Sequence, residues 1–435
     1  MNNTISDAPE PSHNIQSPQK THTSSISQST PNSQTISPLA AKLADSRSYY
    51  WFMVVFLVLL SAVGSFVNDM YTPALPGMCK FFDCSIPLAQ MGLTCGMIGL
   101  GIGQFILGPV SDKYGRKPVI IGATSLFVIA AIISLYSPSI HVFNICRLVQ
   151  GLGASAGYLL AKTIPADIFQ GRQLAKLMTL VGAINGFAPA SSPIIGGVLE
   201  DDFGWKSIFI FLAVFSAVII IVSVFMKESL PKARRNKLSL LRSFGGYKQL
   251  LKDKPFMIHT CLRGTILGVL FAYTSSSPFI VQTLYHFSAT SYGILVGVNS
   301  LFLVAGSMLS LKFKPYKRAA FIGSIILGVG VLFMTVSLLF IHNVWIYDAC
   351  MVIVLFAVGM IISTANTLAM NEGRNRSGEA SAMLGLSGYI VGAIASPLVG
   401  MGNIMHSTAI VNIILAILVI FCAVATNRLP ADLGN

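Results

Sequence analysis

Apolar and polar positions along this chain fall into long blocks. From residue 49 to residue 426, apolar runs are separated by brief polar breaks. Each run is close to the ~20 residues a helix needs to cross ~30 Å of hydrocarbon. The pattern predicts spans near 49–74, 88–110, 118–137, 139–161, 174–197, 206–226, 256–282, 290–311, 318–341, 344–368, 378–402 and 405–426. Every span is expected to be a helix, because lipid offers backbone N–H and C=O groups no partner. The expected fold class is an all-α membrane protein with twelve transmembrane helices. Residues 1–48 break the pattern, being rich in Ser, Thr, Asn, Gln and Pro. Lys20, Lys42 and Arg47 balance Asp7, Glu10 and Asp45 there. Such a segment buries too little apolar surface to offset its ordering entropy, so a disordered cytoplasmic tail is expected. It has no apolar core near its start and does not read as a signal peptide.

Composition agrees with a membrane solvent. Of 435 residues, 54% are hydrophobic and 10% charged, where a soluble domain carries about 25% charged. With a mean hydropathy of +0.71, a water-soluble surface cannot be assembled. The net charge of +13 is positional and does not point to nucleic acid. With the N-terminus placed inside, 21 Lys and Arg lie on inner loops and their edges, among them Lys113, Arg116, Lys117, Lys162, Arg172 and Lys176. The outer loops hold only Lys80 and Lys206. That asymmetry sets a positive-inside topology with both termini in the cytoplasm, in the cytoplasmic (inner) membrane. The longest and most basic inner loop, 227–255, divides the spans into bundles at 49–226 and 256–426, followed by a short tail at 427–435.

The two halves resemble each other at a nearly fixed offset. Tyr71, Thr72 and Pro76 align with Tyr273, Thr274 and Pro278, 202 residues later. Ser192, Pro193 and Gly196 align with Ser396, Pro397 and Gly400, 204 residues later. A duplicated six-helix unit is expected, giving two pseudo-symmetric bundles with a substrate site between them near the bilayer midplane.

The inner loop after span 2 reads Gly108-Pro-Val-Ser-Asp112-Lys-Tyr-Gly115-Arg116-Lys117. Its glycines permit a tight reversal. Asp112 suits a helix cap or an ion pair. This pattern resembles the signature loop of the major facilitator superfamily. Arg147, Gln150 and Gly151 in span 4 resemble the motif that places a buried Arg in proton-coupled members. Pro189, Pro193, Gly196 and Gly197 in span 5 resemble the antiporter motif, in a helix suited to bending. Asn68 through Pro76, Gly204 through Phe209, and Ser377 through Gly385 resemble the Bcr/CflA drug-resistance transporters. The resemblance implies a twelve-span drug:proton antiporter. The chain departs from the family pattern at Ser192, Lys162 and Ala166. The second-half copy of the loop, 312–318, has lost its acid and glycine.

A charge in the bilayer centre costs ~3 kcal/mol on insertion scales, so intramembrane charges are functional candidates. Asp69 is the expected proton carrier, with Arg147 as its fixed cationic partner. Arg263 is expected to snorkel inward and Asp348 to meet outer water. Tyr71, Gln150, Tyr158, Asn185, Phe187, Tyr273 and Asn299 are candidates for the cavity wall. The seven cysteines and the histidines form no metal-binding spacing. Cys79 and Cys84 fall in an outer loop, where a bridge and two free thiols are both open. No cofactor, catalytic constellation or nucleic-acid partner is expected, and one chain would act as a monomer on protons and a small molecule. Export of a metabolite or siderophore and proton-coupled uptake are the alternatives within transport.

Overall fold

A computed structural model describes residues 46–235 and 245–429, without the side chains of 234, 245, 246, 375 and 377. The expected disordered tail lies, apart from its last residues, outside the described residues. So do the middle of the basic linker and most of the final tail.

The described residues hold twelve helices of at least 20 residues. They are α1 (Arg47–Asp69), α2 (Ile86–Tyr114), α3 (Arg116–Leu135), α4 (Ile140–Ile168), α5 (Gly171–Phe203) and α6 (Trp205–Phe225), then α7 (Lys254–Pro278), α8 (Ala289–Ser310), α9 (Tyr316–Val336), α10 (Val344–Glu372), α11 (Ser377–Leu398) and α12 (Ile404–Arg428). There is no strand among the described residues. Eleven are long and apolar enough to span a membrane. The remaining one is α4, whose apolar stretch is interrupted by Asn144, Arg147 and Gln150.

Local chemistry sets many of the ends. Asp253 caps α7 by accepting from Phe256 N, and Asn343 and Asn403 do the same for α10 and α12. Gly115 (φ 106°) and Gly204 (φ 77°) let the chain reverse within one residue between α2 and α3 and between α5 and α6. Several helices outrun the expected spans. The pattern ends span 4 near 161 and span 5 near 197, yet α4 reaches Ile168 through Pro165 and α5 runs for 33 residues. At 1.5 Å per residue, α5 is about 50 Å long, well beyond the hydrocarbon. Hydropathy reports only the part in lipid.

Packing repeats in the two halves. In the first, α2 lies on α4, α3 on α4 and α6, and α1 on α5. In the second, α8 lies on α10, α9 on α10 and α12, and α7 on α11. The halves meet along α5–α8 and α2–α11. Glycines bring α5 and α8 into backbone contact: a Cβ on Gly197 would sit 2.4 Å from the Ala289 oxygen, and one on Gly293 would sit 2.2 Å from that of Pro193.

The helix ends carrying Lys113, Lys117, Lys162 and Arg172 form a basic end of the molecule. Bonds between the halves cluster at the opposite end. Asp201 at the end of α5 accepts from Ala289 N (3.1 Å) and Thr290 N (2.8 Å), capping α8. Gln282 Nε2 donates to Pro73 O at 2.9 Å, and Gln90 Nε2 donates to Ser275 O at 3.0 Å. This end is sealed.

Candidate functional site

Two connected chambers lie between the halves. The deeper, about 240 Å³, is walled by Asn68, Asp69 and Thr72 from α1 and the turn after it, Asn185 and Pro189 from α5, and Tyr273 from α7. Leu267, Leu270, Phe271 and Leu303 supply its apolar face. The second, about 380 Å³, continues toward the basic end past Gln104, Lys162, Thr367 and Ser381. Tyr158, Arg263 and Gly385 line both chambers and mark the junction.

Asp69 presents its half-buried side chain to the deep chamber and forms no ion pair among the described residues. Arg147 is not its partner. The fully buried guanidinium donates to Val67 O (2.6 Å), to Asn68 Oδ1 (3.4 Å) and to Gln150 Oε1 (2.7 Å). Its charge lies 4.2 Å from the centre of the Tyr71 ring and 5.8 Å from that of Phe209. Gln150 passes the chain on to Ala130 O (3.3 Å) and Ser134 Oγ (3.2 Å). This buried cation is held by neutral oxygens and aromatic faces, and it ties α1, α3 and α4 together.

The cavity-wall candidates divide. Tyr158, Asn185 and Tyr273 line the chambers. Tyr71 and Gln150 are fully buried behind the wall as partners of Arg147. Phe187 is 70% exposed and is absent from the lining, because it lies on another face of α5 from Asn185 and Pro189. Asn299 supports the wall from behind, donating to Tyr273 Oη (3.2 Å) and Asp348 Oδ1 (2.7 Å). Asp348 is thus engaged by an amide where open water was expected. Arg263 does not snorkel away: its Nη1 donates to Leu384 O and its head lines the junction.

At the basic end, Arg116 meets Asp112 (2.5 Å) and Asp167 (3.0 Å). Glu228 accepts from Arg116 N (2.9 Å) and Lys117 N (3.3 Å), capping α3. Gly108 and Gly115 frame this loop. On α5, Pro189 and Pro193 remain within one continuous helix, and a Cβ on Gly196 would meet Met70 O at 1.7 Å. That glycine serves close packing against the end of α1.

Asp167, Glu228, Asp201 and Tyr389, which lines the deep chamber, are site or gate residues absent from the expected set. Asp201 stands in Glu200-Asp201-Asp202, an acidic run in the otherwise charge-poor segments opposite the basic end, and that run was the available signal. Cys79 and Cys84 are free thiols, with Cys79 Sγ donating to Cys84 O at 2.7 Å. Burial, with Cys79 beside it, pushes the Cys84 thiol up to about 12, which keeps it protonated and unreactive. No metal-binding group of His, Cys, Asp and Glu occurs among the described residues.

Comparison with known proteins places this geometry among transporters. The family model described as Major Facilitator Superfamily matches residues 54–397. An uncharacterized MFS-type transporter, YdgK, of Bacillus subtilis is 35% identical over 82% of this chain and 92% of its own. Multidrug resistance protein D of Escherichia coli is 26% identical over 85% and 94%. A bicyclomycin resistance protein homolog of Haemophilus influenzae is 26% identical over 82% and 90%. Among solved structures, a bacterial homolog of the lysosomal transporter Spinster superposes with a TM-score of 0.71 at 14% identity, covering 88% of this chain and 98% of that one.

Proposed function

The chain belongs to the Major Facilitator Superfamily, and from that premise we propose that it is a proton-driven antiporter of the Bcr/CflA drug-resistance type. It exports a small amphipathic compound across the cytoplasmic membrane by alternating access. Relatives named for multidrug and bicyclomycin resistance support the drug class. The positive-inside rule turns the basic end to the cytoplasm. The chambers then open inward while Asp201, Gln282 and Gln90 close the outer end. The basic Lys and Arg face the anionic inner leaflet.

The observation that carries the reading is Asp69, an unpaired carboxylate on the wall of a cavity between two pseudo-symmetric halves. An enclosed carboxyl holds its proton and a hydrated one releases it. Exposure of Asp69 to the two sides in turn would therefore move one proton inward for each cycle. Arg147 fixes the backbone at Val67 and the side chain of Asn68, so it holds Asp69 in register. Substrate would occupy the chamber against Phe271, Tyr273 and Leu270.

Inside-out vesicles test this. An imposed proton gradient should drive uptake of an exported compound by the wild type. Asp69→Asn should insert and fold normally and show no gradient-driven flux. Wild-type flux in Asp69→Asn would sink the assignment and leave Asp348 as the next acid to examine. Export of an endogenous metabolite by the same cycle would appear in the same vesicles as flux of that metabolite and of no drug.

A further inference from the structure

The junction of the two chambers holds more positive charge than the proposed cycle uses. Arg263 and Lys162 both line the path, and neither forms an ion pair among the described residues. Lys162 Nζ lies 4.2 Å from the centre of the Tyr158 ring. Arg263 spends one nitrogen on Leu384 O, and its Nε is buried without a partner. Beside it, Gln104 lies against the Tyr389 hydroxyl on the same wall. Tyr158 and Tyr389 add hydroxyls to the same wall. Among the described residues the one acid lining the chambers is Asp69, at the far end of the deep chamber. By the repeat, Asp69 stands level with Phe271 of α7, eight residues from Arg263. That is about 12 Å along the helix, too far for a direct ion pair.

Burying a guanidinium without an anion is costly, and the cost is recovered when an anion arrives. A guanidinium with free donors, flanked by an ammonium and two phenols, matches a planar carboxylate or a similar oxyanion. The apolar wall of Leu267, Leu270 and Phe271 begins one turn beyond Arg263 on the same helix. Charge and apolar surface are therefore placed in series.

We infer that the transported compound carries an anionic group, which Arg263 holds at the junction while its apolar body lies along α7 toward Asp69. This inference rests on the chambers being the transport site. It leaves the proton site at Asp69 undisturbed, because the two charges occupy opposite ends of the deep chamber.

The test uses purified full-length protein in detergent and three probes of one shape: naphthylacetate, its methyl ester and naphthylethylamine. Titration calorimetry should show naphthylacetate binding about tenfold more tightly than the ester, as expected for one charge-assisted pair. Arg263→Gln should bring the acid down to the ester's affinity while ester binding persists, which also reports an intact fold. Arg263→Lys should restore part of the preference. If Arg263→Gln cannot be purified folded, Lys162→Gln should lower the acid's affinity alone. No binding of naphthylacetate, equal binding of acid and ester, or preference for the amine would overturn the inference. A full acid preference in Arg263→Gln would do the same. Binding in detergent needs no proton gradient. Failure of Asp69-dependent flux with the acid preference intact would therefore count against antiport and leave the anion site standing.

Discussion

Arg147 shows what one buried charge demands of its neighbours. Three neutral oxygens and two rings surround it, and hydrogen bonds to a charged group are worth ~1.5–3 kcal/mol each. A lysine offers a compact ammonium in place of a planar fork and cannot reach Val67 O and Gln150 Oε1 together. Arg147→Lys should therefore lower stability by ~3 kcal/mol, the loss of one or two such bonds. Thermal unfolding in detergent measures this, and an unshifted midpoint would refute the bracing role. The sequence showed that an acid and a cation share the membrane but not which way they face. Successive residues of a helix point about 100° apart. Asn68 therefore reaches Arg147 at the edge of the wall while Asp69 turns fully to the cavity, and in the turn after α1 Tyr71 goes inward while Thr72 lines the wall. That rotation was beyond a reading of spans, as was the aim of Arg263. The presence of Asp69, Arg147 and Tyr158 in one bundle was legible, because polar residues interrupting an apolar run are conspicuous.

At the scale of elements, length mattered more than composition. Hydropathy located the helices, since each needs ~20 apolar residues, but it could not see their polar ends. The acid that ties the end opposite the basic one stands on the part of α5 beyond the apolar run. Asp201 receives two backbone N–H groups of α8, where the helix dipole favours negative charge. An N-cap of this kind contributes ~0.5–2 kcal/mol, and it exists only while the outer ends of α5 and α8 touch. Asp201→Ala should shift the population toward outward opening by about tenfold, the ratio that ~1.4 kcal/mol sets. The check is labelling of a cysteine introduced at Asn185 by a membrane-impermeant maleimide added to intact cells. Faster labelling than in the parent is expected, with Asp201→Asn intermediate because an amide oxygen still accepts. Equal rates in all three would show that the glycine contacts of α5 and α8 hold the seal unaided.

The whole molecule is a near-repeat whose two halves differ at the basic end, and that difference sets the last prediction. The repeat offset reflects two bundles built by the same helix pairings, so the architecture followed from the sequence almost directly. The loops do not repeat. In the first half, Arg116 bridges Asp112 and Asp167 while Glu228 caps α3. The second-half loop carries Lys312, Lys314, Lys317 and Arg318 and no acid. With the opposite end tied, Asp112 pairs with Arg116 within its own half and, among the described residues, bridges no interface. Closing the basic end would bring the end of α2 toward the start of α11, whose N-cap residue Arg376 provides no side-chain cap and whose first turn offers N–H donors. Asp112 can then latch the halves, and charge-assisted bonds of this kind are roughly twice as strong as neutral ones. A contact made in one state and absent from the other biases the equilibrium by its own free energy. Asp112→Asn should therefore slow transport and raise the reactivity of cysteines placed at the mouth on the basic end, for example at Thr367. Lys314→Gln, in the loop without an acid, should change both far less. Equal losses of transport from the two substitutions, with mouth reactivity unchanged, would reduce both loops to anchors that set topology alone.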